Sequence, residues 1–347
     1  MADQRDGGIA WTDETWNPIR GCSRVSEGCR NCYAEGMAAR FIGPGQPFEG
    51  LAKRVNGEAR WTGDVRLIEH KLADPLRWKR PRKVFVNSVS DLFHENVTDD
   101  MRDRILAAMA LAPQHTFQVL TKRPQQMQRY CREIIGRSQT IAATAGQDYW
   151  RALSALSQAP LRNVWLGVSA ENQSAANERV PLLLDTPAAV RFVSMEPLLG
   201  PVDLTAIYGR MGDALQTDAL NGWEYHHDDD GQRTKGAKLD WVIVGGESGL
   251  KARPLHLDWA RSLRDQCAGG EVPFLFKQHG EWIGVPDLRN LTGGQGPGFG
   301  VFDHCEYDAD HEAVRVGKRA AGRLLDGVLH DGYPGDATRW PLNNPRF

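Results

Sequence analysis

Three of the six cysteines lie close together near the start of the chain, in Gly21-Cys22-Ser23-Arg24-Val25-Ser26-Glu27-Gly28-Cys29-Arg30-Asn31-Cys32-Tyr33. Two thiolates separated by two residues can turn onto one metal centre. A glycine-bracketed loop can bring up a third while its amides approach inorganic sulfide. Three protein ligands leave one iron of a 4Fe-4S cube open to an outside ligand, and an open coordination position means chemistry rather than a structural role. Two other readings stay open: a zinc ion completed by a ligand from elsewhere, and three unrelated buried thiols. The sequence has no second C-x2-C pair of the kind that paired zinc frameworks use.

Bulk composition sets the setting for that loop. Hydrophobic residues at 41% and charged residues at 25% of 347 exclude a disordered or fibrous chain. With 42 basic and 44 acidic residues the net charge is -2, so no global field attracts nucleic acid or an anionic membrane, and such a partner has to be met by a local patch. The N-terminal MADQRDGGIAW lacks a charged-then-apolar signal pattern, and no stretch approaches the roughly 18 apolar residues of a membrane span. A cytoplasmic location without membrane contact is expected, where cysteines favour metal over disulfides.

The elements that must position the loop are legible as short apolar runs, each ending in polar residues. Six are clear: Val84 to Val86, Phe117 to Leu120, Val164 to Val168, Val190 to Val193, Trp241 to Val244 and Pro273 to Phe276. Continuous runs of this kind are what parallel strands covered on both faces look like. Helical spacing separates them, as in Asp100 to Leu111. Thr15 to Ile19 and Val65 to Ile68 are weaker strand candidates, and counting both gives about eight, as in a (β/α)8 barrel. The expected fold class is α/β, a parallel (β/α) barrel, TIM-like and complete or, with fewer strands, partial; a doubly wound open sheet is the other topology. The barrel would span residues 1–283, with an inserted mobile surface loop at about 208–238. Residues 284–347 would form a C-terminal extension packed on it, with an amphipathic helix near Glu312 to Leu325.

In a parallel barrel the strand C-terminal ends converge on one face, the usual active site. That mouth would gather Asn87, Ser88, Ser90, Asp91, Lys122, Arg123, Ser169, Glu171, Asn172, Ser194, Glu196, Glu247, Lys277 and His279 around the cysteines. Carboxylates there can hold an ammonium group and ribose hydroxyls, and Lys or Arg a carboxylate or phosphate. Several of these residues would equally serve as helix caps. The basic run Leu76 to Lys83, with Trp78 interleaved, reads as a solvated loop on the opposite face, with nucleic-acid contact as the second reading. Cys131 and Cys267 fall in helical patterns as small buried hydrophobes. Asp303, His304, Cys305, Asp308, Asp310 and His311 are ligand types in an acidic surface loop, read as solvated rather than as a second metal site.

The stretches TWNPIRGCSRVSEGCRNCYAE, SVSDLFHENV, QVLTKRP, VWLGVSAEN, FVSMEPLLGP and WVIVGGESG resemble a phage-associated three-cysteine-motif family of unknown function, from Trp11 to about Trp282. More distantly the loop is similar to that of radical S-adenosylmethionine (SAM) enzymes, where three cysteines hold a 4Fe-4S cluster whose open iron binds the methionine of SAM. The usual spacing there is C-x3-C-x-aromatic-C; this chain has a longer first gap and Asn31 before Cys32.

That resemblance implies a radical SAM-type enzyme that cleaves SAM with an electron from a donor and abstracts hydrogen from a substrate. Cys22, Cys29 and Cys32 would be metal ligands, and Tyr33 would take the aromatic packing role. Asn87, Ser88, Asp91, Ser169, Glu171, Glu196 and Glu247 would be cofactor-binding, with Lys122 and Arg123 orienting an anionic substrate. Gly245-Gly246-Glu247 is similar to the GGE element that grips the methionine amino group. Phage association makes a nucleic acid or nucleotide, modified or repaired, the first substrate expected, and a separately encoded protein partner is implied. The competing expectation is a zinc-stabilised nucleic-acid-binding protein without redox chemistry.

Overall fold

Each of the six clear apolar runs is a strand of one sheet. The computed structural model describes residues 9–209, 215–226, 232–285, 303–307 and 311–335. The sheet has seven strands: β1 (Glu14–Trp16), β2 (Lys83–Val86), β3 (Thr116–Thr121), β4 (Val164–Ser169), β5 (Val190–Met195), β6 (Trp241–Gly245) and β7 (Phe274–Gln278). Their spatial order is their chain order and every pairing is parallel. The sheet curls into a half-barrel, so the expected barrel is open. Among the described residues, no helix is long and apolar enough to cross a membrane.

The runs are apolar throughout because both faces are covered. Val84, Val86, Phe117, Val119, Leu166, Val168, Val242 and Val244 face the helical layer in the main core. Their neighbours Phe85, Trp165, Phe192, Trp241, Ile243 and Leu275 line the concave face with Trp11. Residues 330–333 run along the open edge of β7: Phe276 N donates to His330 O (3.0 Å) and Gly332 N to Phe274 O (2.9 Å). A Cβ on Gly332 would stand 2.6 Å from the Phe274 carbonyl oxygen, so this approach requires glycine. Tyr333 then enters the hollow, its ring 4.5 Å from that of Trp241 and its hydroxyl accepting from Gln118 Nε2 at 2.6 Å.

Four expectations are corrected. Thr15 to Ile19 is broken at Pro18, which has no N–H for a ladder. β1 stops at Trp16, and Ile19–Arg20 pairs antiparallel with Arg66–Leu67, so Val65 to Ile68 is not a strand of the main sheet. The described parts of 208–238 form an antiparallel sheet of Ile207–Tyr208, Leu215–Asp218, Trp223–His226 and Gln232–Lys235, whose polar, mostly uncovered strands give no apolar signal. The amphipathic stretch from Glu312 is not one helix. Glu312–Arg315 is a strand between Trp282–Gly284 and His304–Glu306, and Gly317 (φ +86°) and Gly322 (φ +72°) bracket a short helix, Lys318–Ala321. The C-terminal sheet thus begins at Trp282, just before residue 284. The basic run is exposed at Leu76, Arg77, Lys79, Arg80 and Pro81, as a solvated loop should be, while Trp78 within it packs against the core, edge-on to His115 and under Arg82.

Helix Asp99–Leu111 matches expectation, with Thr98 accepting from Met101 N. Cys131 and Cys267 are buried as expected, and burial pushes both thiols up to about 12.

Candidate functional site

The cysteine loop leaves the short strand Ile19–Arg20 at Gly21, whose φ of +92° and β-bridge to Ser90 turn the chain toward the ends of the strands. A Cβ there would lie 2.1 Å from the Asp64 carbonyl oxygen. We expect Gly21→Ala to cost more than the roughly 1–2 kcal/mol of left-handed strain alone, read as a lowered thermal midpoint.

Beyond Gly21 the loop is stapled from three strand ends. After β3, Arg123 donates to Ser23 Oγ (2.7 Å), while its Nη1 is held by Asp91 at 3.0 Å and lies 4.0 Å from Cys22 Sγ. Asp91 also accepts from Thr121 Oγ1 (2.7 Å), Phe93 N (2.9 Å) and Lys122 N (3.2 Å). After β4, Glu171 accepts from Gly28 N (3.2 Å) and from Arg179 Nη1 (2.9 Å). After β6, Glu247 accepts from Asn31 Nδ2 (3.0 Å) and from Arg253 N (2.8 Å) and Nη2 (2.7 Å), while Arg253 Nη1 reaches Glu27 (3.1 Å). From the loop's other side, Tyr33 donates its hydroxyl to Ser88 O, and buried Glu35 holds Arg24 and accepts from Trp61 N at 2.8 Å.

The residues expected at the mouth therefore divide. Arg123, Glu171 and Glu247 spend polar atoms on the loop, and Asp91 holds Arg123 there. Asn172 caps its helix, accepting from Ala175 N at 3.0 Å. Asn87, at φ +59°, accepts from Ile19 N (3.2 Å), and Ser88 Oγ donates to Asn17 (3.1 Å). Ser194 and Glu196 follow Phe192 at alternate positions of the concave face; so do Ser169 after Trp165 and Lys277 after Leu275. Glu196 pairs with Lys277 at 2.7 Å. Asn87 Nδ2 and Ser194 Oγ are buried without a hydrogen-bond partner, polar capacity that protein atoms leave unmet.

Arg179, Arg253 and Asn31 were not singled out from the sequence. Arg179 and Arg253 carry no local signal, since each acts on a partner brought near by the fold. Asn31 did carry one: it stands where the radical SAM spacing has an aromatic, and its amide is what Glu247 grips.

Electrostatics keep the unmetallated Cys22 and Cys32 thiols neutral. Burial, then the Asp91 carboxylate, pushes Cys22 up to about 12 against the pull of Arg123. Burial also raises Cys32, opposed by the Glu35 and Ala34 amides at the start of helix Tyr33–Ala38. Metal charge is what would make them thiolates. Cys22, Cys29 and Cys32 are free, and the other two thiols act electrostatically on Cys22. Among the described residues, the group of three ligand types drawn within 4.8 Å of one another is His256, Asp258 and His311, not the cysteines. Thiolates on one tetrahedral zinc sit about 3.8 Å apart, whereas a cubane holds each on its own iron. A cluster therefore asks less convergence of the three sulfurs than a single ion does.

Burial raises the Glu171 carboxyl, but Lys122 and Arg179 outweigh it and hold the group below its usual range. Glu247 is likewise pulled low, with Arg253 and Asn31 outweighing burial.

No curated protein and no solved structure matches the chain significantly. One family model covers residues 6–334, and the chain belongs to that family, described as a protein of unknown function (DUF5131).

Proposed function

We propose that this protein is a radical SAM-type enzyme holding a 4Fe-4S cluster on Cys22, Cys29 and Cys32. The observation that carries the reading is the anchorage of the three-thiol loop, which three strand ends of a parallel half-barrel hold. When bound, such a cluster supplies one electron that breaks the S–C5′ bond of SAM and so generates a hydrogen-abstracting radical.

The protein's share is positioning and exclusion of water. Arg123, Glu171 and Glu247 hold the loop in place. Asn87, Ser88, Ser169, Ser194 and Glu196 offer polar atoms to SAM, and Asn87 Nδ2 and Ser194 Oγ have capacity to spare. Lys122 carries positive charge near Glu171 for an anionic substrate. Tyr33, with its ring exposed beside Cys32, is the stacking surface. The substrate proposed is a nucleic acid or nucleotide undergoing modification or repair, in a reducing cytoplasm with a separate electron donor and, by the implied phage association, a separately encoded protein partner.

The test is anaerobic purification and electron paramagnetic resonance. Brown protein with about four irons per chain, whose reduced spectrum changes on adding SAM, is the expected result. Colourless protein with one zinc and no iron after anaerobic reconstitution would reject the cluster. An iron spectrum indifferent to SAM, with no SAM cleavage under dithionite, would reduce the protein to electron transfer.

A further inference from the structure

A second set of ligand-type side chains meets where the C-terminal hairpin packs on helix Leu257–Gly269. His256 precedes that helix and is buried, Asp258 lies in its first turn, and His311 comes from the turn between strands His304–Glu306 and Glu312–Arg315. Their ligand atoms all lie within 4.8 Å of one another. His311 Nε2 is 2.8 Å from Asp258 Oδ2, and the two imidazole centroids are 4.3 Å apart.

The surroundings are those of a supported site. Asp258 Oδ1 accepts from Arg261 at 2.8 Å, which orients the carboxylate toward His311, as outer partners of metal ligands do. The His256 ring is stacked on Trp259 and meets Tyr307 edge-on at 4.9 Å. The Tyr307 hydroxyl is buried without a partner, an unmet polar group in the same cluster. His256 caps the helix through Nδ1, which accepts from Asp258 N at 3.3 Å.

We infer that His256, Asp258 and His311 bind a divalent transition-metal ion, zinc by donor type, which ties the C-terminal hairpin to the helix. Two imidazoles and one carboxylate suit zinc and its first-row neighbours, whereas calcium and magnesium demand six or more oxygens. Metal–ligand bonds of about 2.0–2.2 Å require the donor atoms to close to roughly 3.5 Å, a side-chain adjustment. Asp258 and His311 are about half and one-third exposed, which leaves the remaining coordination position open to water. Each imidazole must offer the ion an unprotonated nitrogen, so affinity falls on acidification.

Cobalt titration of the full chain separates this site from the cysteine loop, because thiolate ligands give an intense charge-transfer band and nitrogen and oxygen ligands give weak d–d bands alone. His311→Ala should lower bound cobalt by one equivalent and leave any thiolate band unchanged. The loss in affinity should exceed the roughly 10–100-fold that follows removal of a supporting partner. Asp258→Asn should lose the same equivalent, and zinc should raise the thermal midpoint of the parent chain but not of His311→Ala. Unchanged cobalt stoichiometry in both variants would overturn the site, whatever the fate of the cluster.

Discussion

Cys32→Ser should yield a folded, colourless chain whose iron falls from about four per molecule to near zero on reconstitution, because a cubane held by three protein thiolates loses a corner with each one removed. Folding should survive for a stated reason. The loop is held by Arg123 on Ser23, by Glu171 on Gly28 and by Glu247 on Asn31, none of which is a cysteine contact. Iron analysis beside circular dichroism checks both halves. Unchanged iron with three successive cysteine variants would end the cluster proposal, and loss of the fold would mean that the thiols themselves pack the loop.

Arg179→Met carries the largest expected cost in stability. Arg179 and Glu171 are each 2% exposed, so removing the guanidinium leaves a carboxylate out of water without the counter-charge hydrogen-bonded to it. Breaking a buried pair from one side costs about 3–5 kcal/mol. The pH dependence has a definite sign. In the parent chain Glu171 is held below its ordinary value of 4.5, so its contribution is complete above that value and is lost as pH falls through the lower folded one. In Arg179→Met one of the two charges that oppose burial is gone while Lys122 remains, so the carboxyl moves up from its parent position, and the variant's deficit is greatest at neutral pH and shrinks on acidification. Urea midpoints at neutral and acid pH measure it; a deficit independent of pH would place the loss in packing. Adding Glu171→Gln should recover part of the stability, because no charge is then left buried.

Much of this architecture was legible because burial on both faces writes itself into composition. Val164 to Val168 and Trp241 to Val244 are apolar at every position since alternate residues meet helices and the aromatic hollow. Where only one face or neither is covered, the signal fades: Gln232–Lys235 is exposed throughout and its sheet was not visible in the sequence. Glu312–Arg315 has apolar residues at a spacing a helix also accepts, and one of its two pairing partners, Trp282–Gly284, is distant in the chain. For the site, residue types at strand ends located the mouth, but not the division of labour within it. Glu171 and Glu247 look like cofactor ligands until Arg179, Arg253, Gly28 and Asn31 arrive, and those contacts span the fold.

The aromatic hollow also fixes an order of assembly. Its lining comes from strands distributed over most of the chain, and its last piece is Tyr333, which bonds to Gln118 and packs on Trp165 and Trp241. On the ribosome all seven strands are synthesised before that ring exists, so the nascent half-barrel must wait with its indoles uncovered. Between emergence of β7 and arrival of Tyr333, Trp165 and Trp241 lack the ring that packs on them.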